Sequence, residues 1–142
     1  MYFRNKYYFL SNMYPCDMKV NINGQEYSFN CLESVYQSFK CLERIDEFIN
    51  LNGYESKKLG KNVKVRKDWD FVKVDLMKSL LRIKFSNPEL KEKLISIEGE
   101  IVETNNWGDR FWGKCYGKGL NVLGNILMEL REEYKKEINK EN

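Results

Sequence analysis

Hydrophobic positions recur along the chain with two periods, and the change from one to the other marks out its elements. Met18, Val20 and Ile22 alternate with polar residues before Asn23-Gly24, and Gln25, Tyr27 and Phe29 continue the alternation after it. Two alternating runs around Asn-Gly predict a hairpin with a two-residue turn. The period then lengthens. In "CLESVYQSFK", Leu32, Val35, Phe39 and Leu42 fall on one stripe at ~100° per residue, which predicts a helix with Glu33, Gln37 and Lys40 along the edge of its apolar face. "ERIDEFINL" reads as a second helical stretch, with Asn52-Gly53 as a left-handed stop. "DWDFVKVDLMKSLLRIKF" is amphipathic, opened by acidic residues and closed by Ser86-Asn87-Pro88, and "PELKEKLIS" restarts with proline at the first helical position. "EIVET" is short and alternating, which predicts a strand. A glycine-rich connection, "NNWGDRFWGKCYGKG", leads to "NVLGNILMELREEY", a helix capped by Asn121 with Val122, Leu123, Ile126, Leu127 and Leu130 facing inward. With no internal repeat or linker, the pattern predicts one α+β domain over residues 1–142, predominantly helical with a small β-sheet.

Composition narrows the chemistry. A chain of 142 residues can bury a core without staples, and disorder is expected only in the Lys/Glu-rich end after Tyr134. Net charge is +3, too small to announce a nucleic-acid protein by itself. Cys16, Cys31, Cys41 and Cys115 form no Cys-x-x-Cys pair, and no apolar core follows "MYFRNK", so a reducing cytoplasm is the expected setting. No apolar run approaches the ~20 residues of a membrane helix. The chain contains no histidine, which removes Ser-His-Asp and Cys-His catalysis and histidine zinc sites. Acid-base work falls to Asp, Glu, Lys, Tyr or Cys, and no metal is expected.

Several residues carry a chemical and a structural reading side by side. Glu33 follows Asn30 by three residues, and a helix capping box is the favoured reading from the residues alone. Lys40 lies ~10 Å along a helix from Glu33, too far for an ordinary ion pair, so water or a ligand occupies the space around Gln37 between them. Trp69 and Trp112 are flanked by charge and suit either a stacking surface or half-buried packing. Between Lys57 and Lys67 stand six cations and no acid, which face phosphates or plain solvent. Gly108, Gly113, Gly117 and Gly119 do not form the dinucleotide fingerprint. Their density beside Asp109 suggests backbone approaching a ligand, with a tight structural loop as the alternative.

Taken together, "FLSNMYP", "LESVYQSFK", "KKLGKNVKVRKDWDFVK", "LLRIKFSNPELKEKL" and "IVETNNWGDRFWGKCYGKGLNVLGNILMELR" resemble, in order and over nearly the whole chain, the NADAR or YbiA-like family. The resemblance implies an N-glycosidase acting on NAD- or ADP-ribose-related compounds, without cofactor. The family's helix glutamate falls on Glu33, its lysine on Lys40, its motif tryptophan on Trp69, its late aspartate on Asp109 and its opening asparagine on Asn12. Ser34 departs from the histidine of many relatives, and Lys61 from arginine. The implied roles are catalytic for Glu33, Lys40 and Asp109, and substrate-binding for Asn12, Gln37, Arg66, Trp69, Trp112 and Gly113. Glu33 would serve as general acid/base. Lys40 would attack C1' of the opened sugar, its amine freed by a dry rim and a nearby cation such as Arg66 or Arg110. The implied substrate is an ADP-ribosyl or ribosylated base, foremost ADP-ribosylated guanine in DNA. Ribosylamine intermediates of riboflavin synthesis, or ADP-ribose/NAD binding without catalysis, are the alternatives.

Overall fold

The computed structural model describes residues 1–141, which fall into two units, one continuous and one not. The continuous unit is Ser11–Lys84; the other joins Met1–Leu10 to the chain from Phe85 onward.

In the continuous unit, β1 (Met18–Ile22) and β2 (Gln25–Phe29) form the expected antiparallel hairpin, with Ile22 opposite Gln25 and Met18 opposite Phe29. Asn23 and Gly24 both have positive φ, 52° and 86°, the requirement of a type I′ turn, and Asn21 Oδ1 accepts from Gly24 N. Helix α1 (Leu32–Ser38) follows at once and is buried on every side, packed against α2 (Gly53–Gly60) and α3 (Trp69–Lys84). No residue of α1 forms a wet border.

The second helical stretch is a 3₁₀ segment, Leu42–Glu47, kinked at Arg44. Asn52-Gly53 does not stop it. Asn52 is the N-cap of α2: its side chain accepts from Glu55 N, and the Glu55 carboxylate accepts from Asn52 N, a complete capping box. Asparagine suits either end of a helix, and the glutamate three residues later decides the matter. α3 closes the unit, burying Met77, Leu80 and Leu81.

In the other unit, α4 (Pro88–Ser96) starts where expected, with Asn87 Oδ1 accepting from Glu89 N and Leu90 N and proline in the first turn. It packs on α5 (Val122–Glu141), and buried Leu90, Leu94, Leu123, Ile126, Leu127 and Leu130 supply the core; Val122 is only half-buried. α5 continues past Tyr134 as helix, where disorder was expected, because its Lys/Glu-rich end is made of good helix formers with ion pairs such as Lys135–Glu132. The strand expected over "EIVET" shrinks to β3 (Thr104–Asn105), parallel to β4 (Lys114–Cys115) inside the glycine-rich segment. Ile101 and Glu103 are held instead by Asn121, whose Oδ1 accepts from Glu103 N and whose Nδ2 donates to Ile101 O. The Asn121 side chain is thus spent on this bridge and not on capping α5. No helix among the described residues is long and apolar enough to cross a membrane.

Candidate active site

Glu33 sits in the first turn of α1 and is 7% exposed. The capping box with Asn30 does not form. Cys31 is the N-cap and provides no side-chain cap, while Asn30 Nδ2 donates to Leu51 O. One turn along, Gln37 Nε2 donates to Glu33 Oε1 at 2.8 Å. A carboxyl group taken out of water needs such a donor, so Gln37 both keeps Glu33 tolerable in the core and fixes its orientation. Gln37 Oε1 accepts no hydrogen bond and lies against Gly60 of α2, where a β-carbon would come within 1.9 Å. Glycine at position 60 is what leaves room for the Glu33–Gln37 pair. Asn12 joins from the preceding loop: its backbone oxygen accepts from Glu33 N at 2.9 Å, its Nδ2 reaches Met77 Sδ at 3.6 Å, and its Oδ1 is buried and accepts no hydrogen bond.

Lys40 lies two residues beyond the end of α1, with its backbone N donating to Gln37 O. Its Nζ stands 5.7 Å from the Trp69 ring centroid, and Trp69 packs on Tyr36 at 5.0 Å. Trp69 is half-buried, so it serves packing and keeps one part accessible. Burial pulls the Lys40 ammonium below the ordinary lysine range; Glu33 opposes this, and Lys57, Lys61 and Lys73 reinforce it. Those three lysines, and not Arg66 or Arg110, are the cations acting on Lys40. Arg66 is committed elsewhere: its guanidinium grips Asp68 through two bonds at 2.6 and 3.0 Å. Its backbone N donates to Lys40 O at 2.9 Å, so the basic loop is tied to the end of α1. Between them lies a cavity of about 500 Å³, with Phe39, Leu42 and Val65 as apolar lining and Lys40, Lys64 and Arg66 as cationic lining.

The remaining expected residues belong to the discontinuous unit. Asp109 Oδ1 accepts from Phe111 N and Trp112 N, an Asx turn that shapes the loop. Trp112 stacks on Phe111 at 4.8 Å. Gly113 is buried, and a β-carbon there would strike the Glu103 carboxylate and carbonyl, so the position requires glycine. Asn105, 1% exposed and absent from the sequence reading, organises the turn: Nδ2 donates to Glu103 Oε2 and Asp109 O, and Oδ1 accepts from Asp109 N. Gly60, Asn105 and Lys84 were all missed by sequence reasoning. Only Gly60, a glycine inside a lysine-rich helix, left a visible trace. Ser34 is fully buried, donating to Leu51 O and accepting from Ser56 Oγ. Among the described residues, no cluster of three Cys, Asp or Glu could hold a metal ion.

The chain's relatives carry this geometry into a wider setting. The model of the NADAR domain matches residues 1–135. Over 72 residues the chain is 46% identical to the riboflavin biosynthesis protein PYRR of Arabidopsis thaliana chloroplasts, a match covering 49% of this chain and 12% of that protein. Over 71 residues it is 39% identical to N-glycosidase YbiA of Escherichia coli, covering 49% of this chain and 44% of the relative. Each match thus spans less than half of the relative. The solution structure of E. coli YbiA superposes with a TM-score of 0.79 at 28% identity, over 96% of this chain and 85% of that one. The α+β fold of nearly the whole chain is therefore shared with that protein.

Proposed function

The chain belongs to the NADAR domain family, and from that premise we propose that it is an N-glycosidase which hydrolyses the C1'–N bond of an ADP-ribosyl or ribosylated base. The observation that carries the reading is the buried Glu33 carboxyl group, oriented by Gln37, on the helix whose end leads into Lys40 beside Trp69. A buried acid and a lysine whose ammonium is destabilised by burial both cost stability, and groups perturbed in this way cluster at functional sites.

In this reaction Glu33 protonates the departing nitrogen and later takes a proton from water. Lys40, as the neutral amine that its lowered pKa makes accessible, adds to C1' of the ring-opened sugar. The base leaves as an amine, the sugar stays as a Lys40 imine, and one water releases it as the aldehyde, which recloses. Trp69 stacks on a planar ring, Asn12 and Gln37 accept hydrogen bonds from the ligand, and Lys64 and Arg66 meet its phosphates; Gly113 leaves no room for a ligand, since Glu103 fills the space beside it. No metal takes part. The family match, over residues 1–135, runs through both units, which supports reading the chain as one functional domain.

The leading substrate is ADP-ribosylated guanine in DNA. The 46% identity to PYRR favours a second reading, a hydrolase of riboflavin-pathway ribosylamines. Mass spectrometry of the purified protein with each substrate separates them, and borohydride added during turnover should leave a sugar-derived mass on the peptide containing Lys40. Glu33→Gln should lose turnover with an unchanged far-UV spectrum, and Lys40→Arg should lose both adduct and turnover, since arginine does not give up its proton. Ligand binding without release of any base would make the protein an ADP-ribose or NAD reader instead.

A further inference from the structure

We propose that Lys84 is a positioning residue for the candidate active site, its ammonium holding the Ser11–Asn12 turn against α1 and so fixing the first turn of the helix that carries Glu33. The functional half of this inference rests on the N-glycosidase reading; the structural half rests on hydrogen bonds alone.

Lys84 is the last residue of α3 and is 2% exposed, although lysine is almost never buried without a reason. Its Nζ donates to Ser11 O at 2.8 Å and stands 5.6 Å from the Tyr14 ring centroid. The next residue of the turn, Asn12, offers its carbonyl to Glu33 N. The first N–H groups of any helix lack intrahelical acceptors, and α1 has no side-chain cap. The Asn12 carbonyl therefore substitutes for a cap, and its place depends on the residue that Lys84 holds. Met13 is set against Gly53 of α2, where a β-carbon would come within 2.3 Å of the sulfur. Three helices thus hold the turn, and the contact from α3 carries a charge.

Burial lowers the Lys84 pKa to about 8, with Cys16 and Cys31 acting in the opposite direction. The titratable groups facing it are Tyr14, Cys16 and Cys31, with Asp17 beside Cys16. As pH rises through that range, a charge-assisted bond to Ser11 O becomes a neutral one of roughly half the strength.

The test uses the protein without ligand, labelled with ¹³C and ¹⁵N and titrated from about pH 6.5 to 9.5. The Lys84 side-chain carbon, the Ser11 carbonyl carbon and the Glu33 amide nitrogen should shift together with a midpoint of about 8, and in Lys84→Met the steps at Ser11 and Glu33 should vanish. In the turnover assay, kcat should fall above the same midpoint in the wild type, and in Lys84→Met it should be about tenfold lower and show no fall at that midpoint. A Glu33 nitrogen that does not move, or one that still moves in Lys84→Met because a thiol is responsible, overturns the proposal. The wild-type titration decides this even if Lys84→Met fails to fold. Coupled shifts in a protein that releases no base from any substrate would instead overturn the glycosidase reading and leave the clamp standing.

Discussion

Replacing Gly60 with alanine tests the central pair without touching either member. The new β-carbon would stand 1.9 Å from Gln37 Oε1 and 2.9 Å from its amide carbon, and both separations are inside contact distance. Gly60 is not among the positive-φ glycines, so the backbone accepts alanine and the conflict is with Gln37 alone. Gln37 is 4% exposed and has to swing within a packed interior, which breaks its 2.8 Å bond to Glu33. Losing a buried bond to a charged group costs about 1.5–3 kcal/mol, and the better helix propensity of alanine returns at most about 1 kcal/mol at the end of α2. The expected net loss is about 1–2 kcal/mol, or about 3–8 °C in melting temperature for a chain of this size. Urea unfolding of Gly60→Ala, Gln37→Ala and the double variant measures it. With Gln37 truncated, the alanine at 60 meets only a β-carbon at 3.5 Å and should be neutral or stabilising, so the cycle should show coupling of about 2 kcal/mol. Additive effects, or a Gly60→Ala protein as stable and active as the wild type, would mean that Gly60 does not hold the pair in place.

Trp69→Ala should weaken ADP-ribose binding by about 1–3 kcal/mol in calorimetry. Loss of the Tyr36 contact should lower stability by about 1 kcal/mol, so a much larger drop with unchanged affinity would mark Trp69 as core. Lys64→Gln with Arg66→Gln should reduce affinity for a phosphorylated ligand about tenfold at low salt and flatten its salt dependence; unchanged titration curves would assign the loop to solvent. Stability should respond to Lys84 in the opposite sense to activity. Its folded pKa of about 8 lies below the ordinary 10.5, so the folded state sheds the proton first, and stability rises between those values by about 3 kcal/mol relative to Lys84→Met. Cys16, whose thiol burial pushes up, works against this trend, and the comparison with Lys84→Met isolates the lysine. Parallel pH curves for the two proteins would show that Lys84 does not titrate there.

Elements whose signals are local could be read from the sequence, and elements whose signals are distant could not. The hairpin needs only alternation and Asn-Gly, and α4 needs only Asn87-Pro88, so both appear where expected. Asn52-Gly53 reads as a stop because asparagine also ends helices, and the carboxylate that makes it a start lies outside the dipeptide. "EIVET" alternates like a strand, yet its partner is the Asn121 side chain, nearly twenty residues away. Glu33 and Asn30 have the spacing of a cap, and nothing local says that Asn12 already occupies that role. The site residues Glu33, Gln37, Lys40 and Trp69 were legible as types and spacings. Lys84 was not, and Gly60 showed only as an odd glycine in a lysine-rich helix, because their reasons lie in other helices.

The interrupted course of one unit sets an order of events during translation. Ser11–Lys84 can close its hairpin and three helices once its own residues have left the ribosome. The opening segment has to wait, since the carbonyl of Met1 is met by Thr104 N, more than a hundred residues later. Such a separation carries the loop-closure entropy that slows non-local pairing. The Glu33–Gln37 pair can therefore take shape on the nascent chain while the residues of the other unit that follow Lys84 are still inside the ribosome. A pause late enough for Lys84 to have left the ribosome would favour folding of the first unit, whereas an earlier one would leave β1 and α1 without α3.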